Sequence, residues 1–191
     1  REIPVRLRWA ADAPTPMPVV IWSHAGSWRG ADEGRTSHAT WSKVLASAGY
    51  AVVHPSHVPP TDEQLAQLCV EFGLTNPEDC VDATLSEGED VEFEPGTFNP
   101  FGAVGICRPG DTAALIAGLG AGMFDDTVEL DTSQLAVIGW SGGSGTPMQL
   151  AGSGRVIAVG MDPLRVPPRS DVRAYVALSL GGPGFSNWYD E

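Results

Sequence analysis

Four short apolar runs constrain this chain most: Pro18–Trp22, Tyr50–Pro55, Leu135–Gly139 and Ala174–Leu180. Each is too short for a buried helix and is bounded by turn residues, so each reads as a strand covered on both faces. The segments between them carry a different period. In Ser37–Ala48 the apolar residues Trp41, Val44, Leu45 and Ala48 are spaced 3, 1 and 3, as on a helix, and Gly49 stands where a helix C-cap belongs. Asp111–Leu119 and Gly143–Ala151 read as further helices, and Ile3–Trp9 alternates as a half-buried strand does. Ala10–Met17 and Gly26–Arg35 read as loops. Strands alternating with helices predict the α/β class: one domain over residues 1–191, with a mostly parallel, doubly wound sheet and helices on both faces. Ligands of such sheets bind beyond the carboxyl ends of the strands. The loops after Trp22, Pro55, Gly139 and Leu180 are therefore where chemistry is expected.

Charge narrows the partners. The 191 residues carry 11 Lys and Arg against 24 Asp and Glu, a net charge of −13. That balance argues against nucleic acid and anionic membranes, which require a basic face. The sequence holds no apolar run of the roughly 18 residues a membrane span needs. The acidity is concentrated: 11 acidic residues and no Lys or Arg lie between His57 and Cys107. This stretch, about 58–107, reads as an insertion placed like a lid. It opens with the capping-box pattern Thr61-Asp-Glu-Gln64, runs as a short helix to Phe72 closed by Gly73, and is expected to be irregular over Asn76–Cys107. Phe72, Phe93, Phe98 and Phe101 would either line an acyl or aryl pocket or anchor a solvated excursion. Glu87–Glu94 lacks the ligand spacing of a calcium loop. Cys69, Cys80 and Cys107 lack zinc-ligand spacing, and one disulfide among them or three thiols are both open. The start at Arg1 matches a mature or trimmed chain and leans toward a secreted or periplasmic setting.

Gly139-Trp-Ser-Gly-Gly143 fits G-x-S-x-G between an expected strand and an expected helix. Such a turn is sharp enough that the residues two before and two after the serine must lack side chains. It holds the serine hydroxyl exposed beside helix N-terminal amides. Ser141 is the expected nucleophile of acyl transfer. Two backbone N–H groups must then meet the oxyanion, one from Gly142 and the other from the loop after an earlier strand, here Gly26. No metal or organic cofactor is required. Gly139, Gly142 and Gly145, with Asp162 beyond, faintly match a dinucleotide fingerprint, but the elbow already accounts for these glycines.

The sequence resembles the serine α/β-hydrolase superfamily, in particular the branch of platelet-activating-factor acetylhydrolases, dienelactone-hydrolase-like esterases and polyester hydrolases. The matching stretches are Pro18-Val-Val-Ile-Trp-Ser-His24-Ala-Gly-Ser, Leu45-Ala-Ser-Ala-Gly-Tyr50-Ala-Val-Val-His-Pro-Ser-His57, Arg108-Pro-Gly-Asp111 and Asp171–Gly184. The branch's usual glycine after the loop histidine is Ala25 here. The resemblance implies an α/β-hydrolase fold and hydrolysis of carboxylic esters, with small or polymeric ester substrates. His24 resembles the branch's structural loop histidine, and Trp28 and Trp188 are candidate substrate contacts. In this superfamily the triad follows the order serine, acid, histidine, whereas His24, His38, His54 and His57 all precede Ser141. The chain is therefore expected to be the N-terminal portion of such a domain, broken off after the strand ending near Leu180, with histidine and acid beyond residue 191. The alternative is a non-catalytic binding or scaffold protein that keeps the fold without a complete triad.

Overall fold

The computed structural model describes residues 2–26, 31–58, 60–71, 102–155, 162–179 and 189–190. Among these, β1 (Val5–Arg8), β2 (Met17–Ser23), β3 (Ala51–Pro55), β4 (Leu130–Trp140) and β6 (Ala174–Leu178) form one sheet in the order β1-β3-β2-β4-β6. β1 runs antiparallel to β3, and every other pairing is parallel. The helices are α1 (Ala31–Thr36), α2 (Ala39–Ser47), α3 (Asp62–Glu71), α4 (Gly102–Gly120) and α5 (Gly145–Leu150). A separate two-residue pair joins β5 (Gly154–Arg155) to β7 (Tyr189–Asp190). The arrangement is mixed α/β, with a strand-turn-helix at the end of β4, which lies between β2 and β6.

The alternation of each strand divides the protein into two layers. Val19 and Ile21 of β2, Val53 of β3, and Leu135 and Val137 of β4 pack with Leu115, Ile116 and Leu119 of α4 and Leu150 of α5. Each such side chain contributes about 1.5–3 kcal/mol by leaving water. Trp22 and His54 project to the opposite face, where Trp22 stacks on Trp41 of α2 and Ser42 of α2 bonds to His54. Helices thus cover both faces, as the alternating signals predict.

Several expectations are corrected. The Gly26–Arg35 segment contains α1 rather than only loop. α2 buries Ser42 and Ala46, while Trp41 and Val44 remain 53 % and 55 % exposed. The hydrogen bond from Ser42 to His54, together with the stacking of Trp41 on Trp22, sets this face in place of the apolar stripe. α4 begins at Gly102, nine positions before Asp111, so the expected irregular segment ends in helix. Its internal Pro109 removes one i→i−4 bond, but Arg108 and Asp111 on either side are anchored in the interior. β6 is only half covered, with Ala174 and Val176 exposed, so it does not match the continuous burial its sequence suggests.

Local signals fare better. Gly49 has φ 91, and the bonds Gly49 N–H to Ala46 O and Tyr50 N–H to Leu45 O close α2 in a Schellman motif. Thr61 and Gln64 form the reciprocal capping box, with Thr61 N–H donating to Gln64 Oε1 at 3.0 Å and Gln64 N–H to Thr61 Oγ1 at 3.3 Å. β4 starts earlier than its apolar run because the register against β2 shifts between Pro18 and Val19, which pair with Asp131 and Leu135. The bulge is held by Asp131, which accepts from Ser133 N–H, Ser133 Oγ–H and Gln134 Nε2–H. Bonds from the Ser133 and Gln134 side chains hold this carboxyl below its usual pKa. The lid-like segment beyond α3, with Phe72, Gly73, Phe93, Phe98 and Phe101, lies outside the described residues, as do Cys80 and the Cys69 side chain. Leu180 and Asp190's neighbour Trp188 also lie outside them.

Candidate active site

β4 runs extended to Trp140, whose φ and ψ are −123° and 135°. The chain then turns within one residue: Ser141 has φ 52, in the left-handed region that costs a non-glycine residue about 1–2 kcal/mol. A 3-10 turn over Ser141–Gly143 follows, closed by Ser144 N–H donating to Ser141 O at 2.9 Å, and then α5 begins. Three glycines make the turn possible. A Cβ on Gly139 would stand 2.1 Å from Gly143 O, and one on Gly143 would stand 2.4 Å from the carbonyl oxygens of both Ser23 and His24. A Cβ on Gly142 would stand 2.6 Å from Gly26 O. The elbow is thus pressed against the end of β2, while Ser141 and Gly142 themselves remain half-buried.

The loop leaving β2 runs Ser23-His24-Ala25-Gly26 alongside the elbow. Its left-handed residue is Gly26, with φ 76. Ala25, 8 % exposed, is thus not the residue that takes the left-handed conformation. The structure places Ser141, Gly142 and Gly26 together. Trp28 and Trp188, the expected substrate contacts, lie outside the described residues.

Beneath the elbow is a polar cluster that sequence reasoning did not assemble. His57 Nδ1 lies 3.1 Å from Asp111 Oδ2, and His57 Nε2 lies 3.3 Å from Ser23 Oγ. Ser23 Oγ is in turn 3.0 Å from Thr146 Oγ1 on α5. A carboxylate only accepts, so Nδ1 carries a proton toward Asp111. The order serine, histidine, aspartate is that of a catalytic triad, but Ser23 and His57 are both 0 % exposed, so no substrate reaches them. The cluster ties the ends of β2 and β3 to α4 and α5. Two periodicities could have revealed it. Ser23 and His57 continue the odd-numbered faces of Ile21 and Val53, and Arg108, Asp111, Thr112, Leu115 and Leu119 lie on one helical face.

The other histidines are engaged elsewhere. His54, on the opposite face, has its pKa lowered to about 4 by burial and, secondarily, by Arg8, His38 and Arg6. It stacks on Trp22 and bonds to Ser42. His38, with φ 54, meets the Trp140 ring edge-on at 4.2 Å between centroids. His24 packs against His57 at 5.2 Å. Among the described residues, none of the four histidines is hydrogen-bonded to Ser141, and no His, Cys, Asp and Glu group is arranged to hold a metal ion. No described helix is long and apolar enough to cross a membrane. An open cleft of about 530 Å³ between α4 and residues 166–171 does not include Ser141.

No family model matches the chain, and no curated protein matches it. Among solved structures it is similar to a bacterial heroin esterase, at 18 % identity and a TM-score of 0.36, over 78 % of this chain and 34 % of that one. It is similar to a glucuronoyl esterase from Solibacter usitatus at 18 % identity and a TM-score of 0.36, over 76 % and 40 %. The chain thus spans between a third and two-fifths of the length of these proteins.

Proposed function

We propose that the protein belongs to a serine hydrolase of carboxylic esters in which Ser141 is the nucleophile. The observation that carries this reading is the left-handed Ser141, half-buried at the carboxyl end of the parallel strand β4, with the Gly26 main chain against Gly142. Ser141 Oγ attacks the ester carbonyl carbon. The tetrahedral oxyanion is met by the amides of Gly142 and Gly26, at the N-terminal side of α5. Collapse expels the alcohol and leaves an acyl group on Ser141, which water then removes. The proton taken from Ser141 and returned to the alcohol needs a general base. The reading assigns this base and its acid to sequence following Glu191, because all four histidines present are placed in other contacts. The substrate is a small or polymeric ester.

The competing reading, a binding or scaffold protein with this fold and no complete triad, rests on those same histidine positions. Hydrolysis of p-nitrophenyl acetate by the full-length protein separates the two. Turnover that is lost in Ser141→Ala supports the hydrolase; turnover that is absent, or that survives in Ser141→Ala, supports the scaffold.

A further inference from the structure

The Gly26 amide belongs to the 25–26 peptide, and its direction is set by whatever holds the Ala25 carbonyl. That carbonyl accepts from His24 Nδ1 at 2.9 Å. The tautomer follows from the ring's other nitrogen. The His57 backbone N–H lies 3.4 Å from His24 Nε2 and can only donate, so Nε2 is the acceptor and Nδ1 carries the hydrogen. A guanidinium also only donates, so the approach of Arg108 Nη2 to Nδ1 at 3.3 Å is packing, and the Nδ1 proton goes to Ala25 O. In a trans peptide the N–H points opposite to the C=O. The Gly26 N–H is thereby turned away from the His24 ring.

Arg108 holds the residues on either side. Its Nη1 donates to His24 O at 2.6 Å and its Nη2 to Gly26 O at 2.8 Å. Three successive carbonyls, those of His24, Ala25 and Gly26, are thus each fixed by a buried side chain, with His24 0 % and Arg108 1 % exposed. Gly26 O also stands 2.6 Å from where a Cβ on Gly142 would lie, so the guanidinium that holds this carbonyl bears on the distance between the two proposed oxyanion donors.

We propose that His24 and Arg108 are positioning residues for the oxyanion site: together they lock the peptide planes of the β2–α1 loop so that the Gly26 amide is preorganised beside that of Gly142. The inference rests on Ser141 being the nucleophile. A fork that grips two carbonyls at once is a task for arginine, and a lysine ammonium in its place reaches one. Misplacing a donor by an ångström, or losing it, costs about 10²-fold in a reaction that develops an oxyanion.

The test is the second-order rate of phosphonylation of Ser141 by a fluorophosphonate in the full-length protein, with thermal midpoints measured alongside. Arg108→Lys is expected to slow the reaction about 100-fold. His24→Asn places an amide donor where Nδ1 stands and is expected to retain most of the rate. His24→Gln keeps only the acceptor for the His57 N–H and is expected to fall at least about 10-fold below His24→Asn. Folded Arg108→Lys and His24→Gln variants that react at the wild-type rate overturn the positioning role and leave the nucleophile standing. If Arg108→Lys does not fold, equal rates in the two His24 variants overturn it. A wild-type protein that is not phosphonylated at Ser141 overturns the nucleophile and this role together.

Discussion

Ser23 Oγ and His57 Nε2 lie 3.3 Å apart with no solvent exposure, while the half-exposed serine of the elbow, Ser141, bonds to no histidine among the described residues. The chain thus holds two serines with opposite credentials: one has a triad-like environment without access, the other has access and backbone strain. The proposed function follows access, since a fully buried hydroxyl cannot meet an ester. Ser23→Ala is expected to cost about 1 kcal/mol of stability through the lost hydrogen bonds and to leave p-nitrophenyl acetate turnover by the full-length protein in place. Ser141→Ala is expected to abolish that turnover while leaving the thermal midpoint within a few degrees.

His57 spans Asp111 and Ser23, and so joins α4 to two strand ends. His57→Ala removes both bonds and opens a cavity. It is expected to destabilise by about 3 kcal/mol, lowering the thermal midpoint by roughly 6–12 °C. Asp111→Asn retains an acceptor for Nδ1–H and is expected to cost less. Calorimetry on the two variants checks the order.

Gly143 and Gly110 make a matched pair of opposite sign. A Cβ on Gly143 meets two carbonyl oxygens at 2.4 Å, and backbone cannot yield as a side-chain tip does. Gly143→Ala is expected to lose about 3 kcal/mol or to prevent folding. Gly110 lies inside α4 with nothing within 4 Å of its would-be Cβ. Gly110→Ala is expected to gain about 0.5–1 kcal/mol. Denaturant midpoints at constant slope would show both.

His54 makes stability depend on pH. Its folded pKa is about 4 against an ordinary 6.5, with burial the main cause. The unfolded chain therefore takes up the proton first. The neutral ring's contribution is complete above about pH 6.5 and is lost as pH falls toward 4, by an amount on the order of 3 kcal/mol. Glutamine at this position can accept from the Ser42 hydroxyl without titrating. Unfolding free energies of His54→Gln across pH 4–7 are expected to fall less steeply than those of the wild type, by that difference. Parallel curves would contradict the assignment.

Strand positions were legible because unbroken apolar runs such as Pro18–Trp22 can be satisfied only by burial on both sides. The tight turn at Ser141 was legible because glycines stand two before and two after the serine, where a side chain would meet backbone. The helix face of α2 was not legible: Trp41 and Val44 look like core residues, but a hydrogen bond between Ser42 and His54 turns the helix, and hydrophobic periodicity does not register such a bond. The N-terminal turns of α4 were hidden by Pro109, whose local cost is offset by tertiary anchoring that a sequence does not display. The buried cluster was hidden for a related reason. His57 and Asp111 are 54 positions apart and carry no mutual motif, so only the face-by-face placement of β2, β3 and α4 unites them.

The most direct measurement is peptide mapping of the full-length protein after incubation with a fluorophosphonate, in wild type, Ser141→Ala and Ser23→Ala. The account predicts a single adduct on the peptide bearing Ser141, present in Ser23→Ala and missing from Ser141→Ala. No adduct in the wild type, or an adduct that persists in Ser141→Ala, would contradict it.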